Sequence, residues 1–415
     1  MRPSRYIPVI VACAVVTMSV IAVVVVQRNK TDTVLPHVTL PAKGSNQRMF
    51  GPNAPWNRPV SELGRSEHYA SYAERFWKYA TLENATNSST RGHYSTYFNA
   101  YSIPIYDARE ATGTRKVLTA NTGYPGTLPD GSEVPWNDAW KPATGNDQSM
   151  LIINPDNGRD YELWLVQTSN FSACLSHGFE AIRALCVGSA NLIPDLNGQP
   201  ADYRTYEGGF ITRGSGLQKL AMMTTADEVA SGSVQHALSM VAFNTMFGPA
   251  CSPAERTTAA EGTTCGFYVN PATRIEWAKG PSQQCTVPLE NTTAGRSTTV
   301  PEGMRFALDI TDDQINTWLD SRGYQGVLRD TARVFAVALR DYGWIISDTS
   351  CADAGIETEG MTNPIAHAKW KQLGVPDGPD SQSMLWGLFT QQRIYVVNPP
   401  AAATPVSTKL APGVR

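Results

Sequence analysis

Six cysteines between positions 174 and 351 constrain this chain more strongly than any other feature. A structural metal site would need paired or clustered ligands such as Cys-x-x-Cys, and the sequence contains no such pair, so neither a metal nor another cofactor is expected. Disulfides are the alternative, and they place the body of the protein in an oxidising compartment. Six cysteines allow fifteen pairings. Proximity in the sequence favours Cys174 with Cys186, Cys251 with Cys265, and Cys285 with Cys351.

The N-terminal region contains an uncharged apolar run, from Ile7 to Val26, close to the ~20 residues needed to cross a bilayer. Its end, Val-Val-Val-Val-Gln-Arg, is a poor cleavage site, so an uncleaved transmembrane anchor over residues 1–30 is favoured over a cleaved signal peptide. A Pro-rich linker is expected over 31–57, a single extracellular domain over 58–398 and a disordered tail over 399–415. The protein is therefore expected to be a single-pass protein of the cell membrane, with its body outside the cell.

The composition favours a strand-rich body. Charged residues make up only 17% of the chain, and short apolar segments alternate with Gly, Pro, Thr, Ser and Asn. One hairpin is indicated directly, because the turn 154–158 separates the apolar runs 150–153 and 161–166. The expected fold is mainly β, a jelly-roll-like antiparallel β-sandwich with a few peripheral helices. The net charge of −3 and the lack of a basic run argue against nucleic acid as a partner.

Apolar periodicity predicts three helices, at 67–81, 313–319 and 327–342. The first carries an aromatic stripe formed by Tyr69, Tyr72, Phe76 and Tyr79. Such a stripe is more typical of a helix packed on a core than of a platform for sugars. The third helix is expected to end before a buried strand at 344–348.

The stretch from Tyr206 to Leu238 combines several features of a functional loop. The small-residue loop Arg213-Gly-Ser-Gly lies between apolar segments, and Thr225 is expected to cap a short helix. His236 follows within an apolar strand, where a buried imidazole needs a polar partner. A hydrogen-bonded core histidine is the simpler interpretation of His236, and a catalytic base is the alternative.

Five short segments, taken together and in order, resemble a family of uncharacterised secreted bacterial proteins common in actinobacteria and other soil phyla. They are Tyr161–Trp164, Arg213–Leu217, Thr225–Leu238, Pro301–Phe306 and Leu339–Asp348. The resemblance implies a single β-sandwich domain with glycans as partners, because members are often attached to carbohydrate-binding modules. One departure is Ser149, where the family commonly has the histidine of an Asp-x-His pattern. If that histidine is catalytic, this chain has lost the activity.

Cleavage of a polysaccharide is the leading functional hypothesis, and hydrolysis is one of its two forms. Hydrolysis needs two carboxyl groups roughly 5 to 10 Å apart, one of which holds a proton. The best candidates are Asp147, Glu162 and Asp348, because each lies in or next to an apolar strand where burial raises the pKa of a carboxyl group.

Elimination is the other form, and it needs a His or Tyr base together with a cation that neutralises a uronate. His236, Tyr161 and Arg213 are the candidates for these roles. In either case the bound sugar rings need an aromatic surface. Three tryptophans are candidates for that surface, namely Trp136, Trp140 and Trp164.

Each candidate also has a structural interpretation. Glu162 is explained equally well by a pair with Arg213, and Asp348 by the capping of a turn before Cys351. The rival function is a non-catalytic module that binds glycans or interacts with the cell envelope. An enzyme should bring at least two of the five candidate catalytic residues together in an open cleft. A binding module would bury them as satisfied pairs or scatter them.

Overall fold

The computed structural model describes residues 50–400 except 52, 121–125, 146, 168–173, 175–183, 194–212, 244, 253–254, 256–263, 284, 286 and 352. The predicted anchor, most of the predicted linker and the tail from 401 onward lie outside these residues. Within the described part of the chain, no helix is both long and apolar enough to cross a membrane.

The described residues contain helices and short strands in an irregular order. The α-helices are α1 Val60–Leu63, α2 Ser71–Tyr79, α3 Leu82–Thr86, α4 Ala226–Ala230, α5 Thr293–Arg296, α6 Asp312–Ser321, α7 Gly326–Asp341 and α8 Pro364–Gln372. The strands are β1 Ser95–Tyr97, β2 Ile105–Asp107, β3 Gly113–Thr119, β4 Glu133–Trp136, β5 Met150–Asn154, β6 Arg159–Trp164, β7 Leu185–Val187, β8 Ser189–Ile193, β9 Leu238–Ala242, β10 Arg305–Leu308, β11 Trp344–Thr349, β12 Gly355–Glu357 and β13 Ile394–Val396.

The described strands form three mixed sheets, which confirms the mainly β character but differs from the antiparallel sheets expected of a jelly roll. The largest sheet has the order β1-β12-β9-β11-β10-β13, in which β1 is parallel to β12 and β9 to β11. The sheets β2-β5-β6-β8 and β4-β3-β7 each contain one parallel pair as well. Parallel neighbours need long crossover connections. Turn signals in the sequence mark only hairpins, so they did not indicate these pairs.

Successive side chains of β5 point alternately into two apolar cores, so the four-stranded sheet lies between these cores. Leu151 and Ile153 face the core that Ile345 of the six-stranded sheet also enters. Met150 and Ile152 face the core shared with the three-stranded sheet. The predicted hairpin is confirmed, since β5 and β6 pair antiparallel across the turn. Their side chains alternate between the two faces as strand geometry requires.

Helices cover the opposite face of the six-stranded sheet. Tyr72 and Phe76 of α2 are fully buried there, and the Phe76 ring lies 4.9 Å from Phe306 and 5.5 Å from Trp344 between centroids. The aromatic stripe is therefore part of the core, as the simpler interpretation predicted. The long helix α7 is also confirmed. It is followed by Gly343, whose positive φ of 67° suits glycine at the end of a helix.

The packed body begins earlier in the chain than the predicted domain boundary. Residues 50–57 include Trp56, which is fully buried in the core between the two larger sheets. The buried guanidinium of Arg305 donates hydrogen bonds to the carbonyls of Pro55 at 3.1 Å and Arg58 at 2.7 Å. These contacts attach the segment to β10, so the end of the predicted linker belongs to the folded part.

All three predicted disulfides are confirmed. The bonded pairs are Cys174–Cys186, Cys251–Cys265 and Cys285–Cys351. The first two close local loops, whereas the third spans 66 residues and connects the loop at 281–289 to the segment after β11.

Removal of the long-range disulfide is expected to destabilise the protein more than removal of a local one. A cross-link that closes a longer loop restricts the unfolded chain more, by about 1.5 kcal/mol for a separation of 66 residues against 12. Denaturant unfolding of the Cys285→Ser/Cys351→Ser variant should show this larger loss, with Cys174→Ser/Cys186→Ser as the matched control. Equal losses for the two variants would contradict the expectation.

Candidate active site

A buried polar patch lies where strands β9, β11 and β12 run side by side. Along this face Ala237 is followed by Ser239, and Ile345 by Ser347, so apolar side chains give way to hydroxyl groups. The Ser239 hydroxyl lies 2.6 Å from the carboxylate of Glu357 and 2.8 Å from the Ser347 hydroxyl. All three polar residues are buried. The patch therefore needs a cation to balance Glu357.

Arg213 supplies that cation. Its Nη1 atom lies 2.6 Å from a carboxylate oxygen of Glu357 and 3.9 Å from one of Asp348. The Arg213 side chain is 1% exposed, whereas that of Asp348 is 21% exposed. Its close partner is thus Glu357, whereas the sequence interpretation paired it with Glu162. Asp348 links this buried ion pair to the solvent.

The small-residue loop that carries Arg213 is fastened to its surroundings by several hydrogen bonds. Arg274 donates to the carbonyls of Gly214 at 2.6 Å and Arg213 at 3.0 Å. The Ser215 hydroxyl donates to the carbonyl of Ser347 on β11. The loop is therefore held against the polar patch, and its backbone lies close to neighbouring side chains.

Gly214 makes room for Glu276, an acid that sequence reasoning did not select. A Cβ atom at position 214 would lie 2.2 Å from the Cδ atom of Glu276, so any other residue here would require the Glu276 side chain or the loop to shift. Asp348 and Thr349 are near enough to the Glu276 carboxyl group to act on its pKa. Its backbone N–H donates to Glu302 at 3.0 Å. Three acids, Glu276, Glu302 and Asp348, form what we call the acid group.

Burial raises the pKa of each member of the acid group. Burial and then the charge of Asp348 raise the pKa of Glu276 to about 8. Burial, followed by repulsion from Glu276, raises the pKa of Glu302 well above its ordinary value. Burial also raises the pKa of Asp348, although attraction to Arg213 and Lys219 opposes this rise. A protonated carboxyl thus lies beside one whose ionised form is favoured by two cations.

Of the five predicted catalytic residues, the structure brings three into one region. Arg213 and Asp348 meet directly, and Asp147 is near enough for its charge to raise the pKa of Asp348. Asp147 is exposed to solvent. Ser149 is buried and only 2% exposed.

Glu162 occupies a buried position on β6. It is 1% exposed, and its Oε1 atom accepts hydrogen bonds from the backbone N–H groups of Lys219 at 2.9 Å and Leu220 at 3.3 Å. Asp160, two residues earlier on the same face, is fully buried. Burial and then the neighbouring Glu162 raise the pKa of Asp160 well above its ordinary value. These contacts indicate that Glu162 positions the segment that follows the Arg213 loop.

His236 lies apart from the acid group, in a satisfied pair. Its Nε2 atom is 3.2 Å from the carboxylate of Glu228, and its side chain is 6% exposed. Glu228 also completes the cap of α4 with Thr225, which confirms the predicted helix start. Despite its burial, Glu228 has a lowered pKa because His236 and Thr225 stabilise its charge. The structural interpretation of His236 is therefore the one that the structure supports.

The predicted aromatic surface is largely part of the core. Trp136 and Trp140 are only 4% and 5% exposed, and Trp140 stacks on Tyr106 at 4.9 Å between centroids. Tyr161 is 8% exposed in the same core. Trp164, at the end of β6, remains half-buried. Strand alternation explains the error, because an inward-facing aromatic has the same sequence signature as an outward-facing one.

A pocket adjoins the acid group through Thr349. It is lined by Phe243, Phe247 and Trp277 and has a volume of about 300 Å³, part of it open to solvent. The Trp277 indole N–H donates to the Thr349 hydroxyl at 3.2 Å. Thr349 is in turn near enough to Glu276 to lower the pKa of that carboxyl group. The described residues thus contain an aromatic pocket beside a proton-holding carboxyl group.

The residues that sequence reasoning missed are Glu276, Glu302 and Glu357, together with Lys219. Glu276 lies in a region without periodicity, and Glu357 lies in a strand of only three residues.

Among the described residues, no group of three or more His, Cys, Asp or Glu side chains is arranged to hold a metal ion. Comparison of the chain with protein-family models, curated proteins and solved structures finds no match. The chemistry of the acid group is therefore the basis for a functional assignment.

Proposed function

We propose that this chain is a membrane-anchored, extracytoplasmic glycoside hydrolase in which Glu276 is the proton donor and Asp348 the partner carboxylate. The observation that carries the proposal is the proximity of these two groups, one of which raises the pKa of the other, beside an aromatic pocket. A carboxyl group with a pKa of about 8 retains its proton at neutral pH, which a general acid must do. Asp348 is partly exposed, so one side of the acid group is accessible to substrate.

In this proposal Glu276 donates its proton to the glycosidic oxygen while Asp348 attacks the anomeric carbon and forms a glycosyl ester. Water then cleaves the ester, with the ionised Glu276 as its base. An inverting pair needs roughly 6.5 to 9.5 Å between its carboxyl groups to admit a water molecule. A retaining pair lies closer together, at roughly 5 to 5.5 Å. Because the charge of Asp348 acts strongly on Glu276, we assign the closer, retaining arrangement to this pair. Arg213 and Lys219 favour the ionised form of Asp348 that the attack requires.

The positions of the three candidate elimination residues favour hydrolysis over elimination. His236 is engaged with Glu228, and Tyr161 packs in a core. Arg213, the candidate for neutralising a uronate, is buried against Glu357. A lyase needs these groups at the substrate, whereas the hydrolytic assignment uses different residues.

A non-catalytic glycan-binding or envelope-interaction module is the second candidate. It is favoured by the burial of Arg213, Glu162 and His236 in contacts with other protein groups. In that case the acid group would be a structural cluster, and the aromatic pocket alone would contact the glycan.

Substitution of Glu276 by glutamine is expected to reduce hydrolysis by about 10²- to 10⁴-fold, because the general acid is lost. The full-length chain would be incubated with a panel of polysaccharides, reducing ends counted, and the anomer of the product followed by NMR. Wild-type activity should decline as the pH rises through about 8, since Glu276 must be protonated to act.

The matched control is Glu133→Gln, because Glu133 is exposed on β4 and should leave the rate unchanged. An inverted product would contradict the assignment of Asp348 as nucleophile. Ultraviolet absorbance of an unsaturated uronate would instead indicate elimination. Retention on a polysaccharide without any cleavage would support the binding module.

A further inference from the structure

The Cys285–Cys351 disulfide differs from the two local disulfides in its exposure to solvent. Both local bonds are buried, and none of their four cysteines is more than 6% exposed. In the long-range bond Cys285 is 8% exposed, whereas Cys351 is exposed to solvent. Thiol–disulfide exchange requires a thiolate to reach one of the two sulfur atoms of the bond. The long-range disulfide is therefore the one that a reductant in solution can attack while the protein stays folded.

Cys351 lies on a fixed part of the fold, in the turn between β11 and β12. The backbone N–H of Ser350 donates to the carbonyl of Ala242 on β9 at 2.9 Å. On the other side of Cys351, the backbone N–H of Asp353 donates to the Ser350 hydroxyl at 3.2 Å. These hydrogen bonds attach the turn to the sheet without help from the disulfide. Cleavage of the disulfide therefore leaves Cys351 in place.

Cys285 belongs to a segment of a different kind. The described residues of 281–289 form neither helix nor strand. The whole stretch contains no Asp, Glu, Lys, Arg or His, so its side chains can form no ion pair with the rest of the protein. Its apolar side chains, such as Leu289, line the same pocket as Phe243 and Trp277. The disulfide is thus the covalent link that holds this loop against the six-stranded sheet.

We propose that Cys351 is a site of thiol–disulfide exchange, at which a dithiol reductant opens the bond to Cys285 and releases the loop 281–289. One thiolate of the reductant forms a bond to the Sγ atom of Cys351, and the bond between Cys351 and Cys285 breaks. The electron pair remains on the sulfur of Cys285, which takes a proton from water. The second thiol of the reductant then displaces Cys351. The reductant leaves as a disulfide, and the protein has gained two electrons and two thiols.

The exchange acts as a switch because the two ends of the bond differ in what else holds them. Release of the loop removes one wall of the pocket that Thr349 also lines, while the sheet that carries Asp348 stays intact. The inference does not depend on the hydrolase assignment, since both the reactivity of the bond and the release of the loop can be measured without any cleavage of a glycan.

The test treats the folded, full-length chain with dithiothreitol and traps free thiols with N-ethylmaleimide at successive times. Mass spectrometry of the peptides then gives the labelled fraction at each cysteine. Cys285 and Cys351 are expected to become labelled about tenfold or more faster than the four cysteines of the local disulfides. With the monothiol 2-mercaptoethanol, the first mixed disulfide should form on Cys351, because this is the exposed end of the bond.

Release of the loop is measured by hydrogen exchange of the peptide that spans 281–289. Selective reduction should speed this exchange by about tenfold, whereas exchange in α7 should stay nearly unchanged. The Cys285→Ser/Cys351→Ser variant should show the faster exchange without any reductant. The matched control for reactivity is the same reduction in guanidinium chloride, where folding no longer protects the local disulfides and all three bonds should be reduced at similar rates.

The proposal is overturned if a local disulfide is reduced first in the folded protein, or if no disulfide is reduced before the protein unfolds. It is also overturned if selective reduction leaves the exchange of 281–289 unchanged. Selectivity that persists in guanidinium chloride would assign the reactivity to the local sequence rather than to exposure, which contradicts the proposal as well. All of these measurements use the wild type, so the result does not require the double variant to fold.

Discussion

Replacement of Gly214 by alanine is expected to lower hydrolysis by on the order of 10²-fold, although residue 214 itself has no side chain that could take part in the chemistry. The added methyl group would lie 2.2 Å from the Cδ atom and 2.3 Å from the Cγ atom of Glu276. Arg274 holds the Gly214 carbonyl at 2.6 Å, so the loop has little room to retreat. Glu276 is therefore expected to shift, which disturbs its position relative to Asp348.

The measurement is the rate of reducing-end formation, together with a thermal melt that shows whether the variant is folded. Gly113→Ala is the matched control, because Gly113 lies on β3 with no atom within 4 Å of the position of an added Cβ. It should leave both the rate and the melt nearly unchanged. A folded Gly214→Ala protein with the full wild-type rate would show that the position of Glu276 is irrelevant to cleavage, contrary to the proposal.

The parts of the fold that sequence predicts well are those that depend on neighbours in the chain. The helix predicted at 327–342 and observed as α7 Gly326–Asp341 has an apolar face that repeats every turn. The β5–β6 hairpin is marked by its turn residues. Two disulfides close loops of 12 and 14 residues, so proximity predicts their pairing. The third pairing then follows by elimination.

The candidate site is formed by segments that are distant in sequence, and this is why prediction recovered only part of it. Two residues of the site were selected from the sequence. Asp348 was selected because it ends an apolar strand, and Arg213 because it begins a glycine loop. In the sequence that loop is only a small-residue loop between apolar segments, and nothing there identifies Glu276 as the group that lies against Gly214. Glu357 reaches Arg213 only because β12 pairs with β9, a neighbour separated by more than a hundred residues. Such pairings depend on the global topology, which local patterns do not contain.

Replacement of Arg213 by methionine is expected to destabilise the protein by about 3 to 5 kcal/mol, because it leaves the buried carboxylate of Glu357 without its cation. Methionine keeps much of the volume, so the loss of charge is the main change. Chemical denaturation of Arg213→Met, Glu357→Gln and the double variant would measure the coupling between the two residues. The double variant should recover part of the stability that Arg213→Met loses. If the losses of stability in the two single variants simply add in the double variant, the direct pairing of Arg213 with Glu357 is contradicted.

The stability lost in Arg213→Met should also depend on pH. The titration of Asp348 determines whether that loss grows or shrinks as the pH rises. Burial raises the pKa of Asp348 in the folded protein, and Arg213 opposes this rise, so removing Arg213 raises the pKa further. A carboxyl group that binds its proton more tightly when folded stabilises the protein below its unfolded pKa, near 3.8, and loses that contribution as the pH rises through its folded pKa. The variant should therefore be closest to wild type in acid and fall further behind towards neutral pH. A deficit that is constant across this range would indicate that Arg213 does not act on the charge of Asp348, and the proposed ionised partner of Glu276 would then lack its electrostatic support.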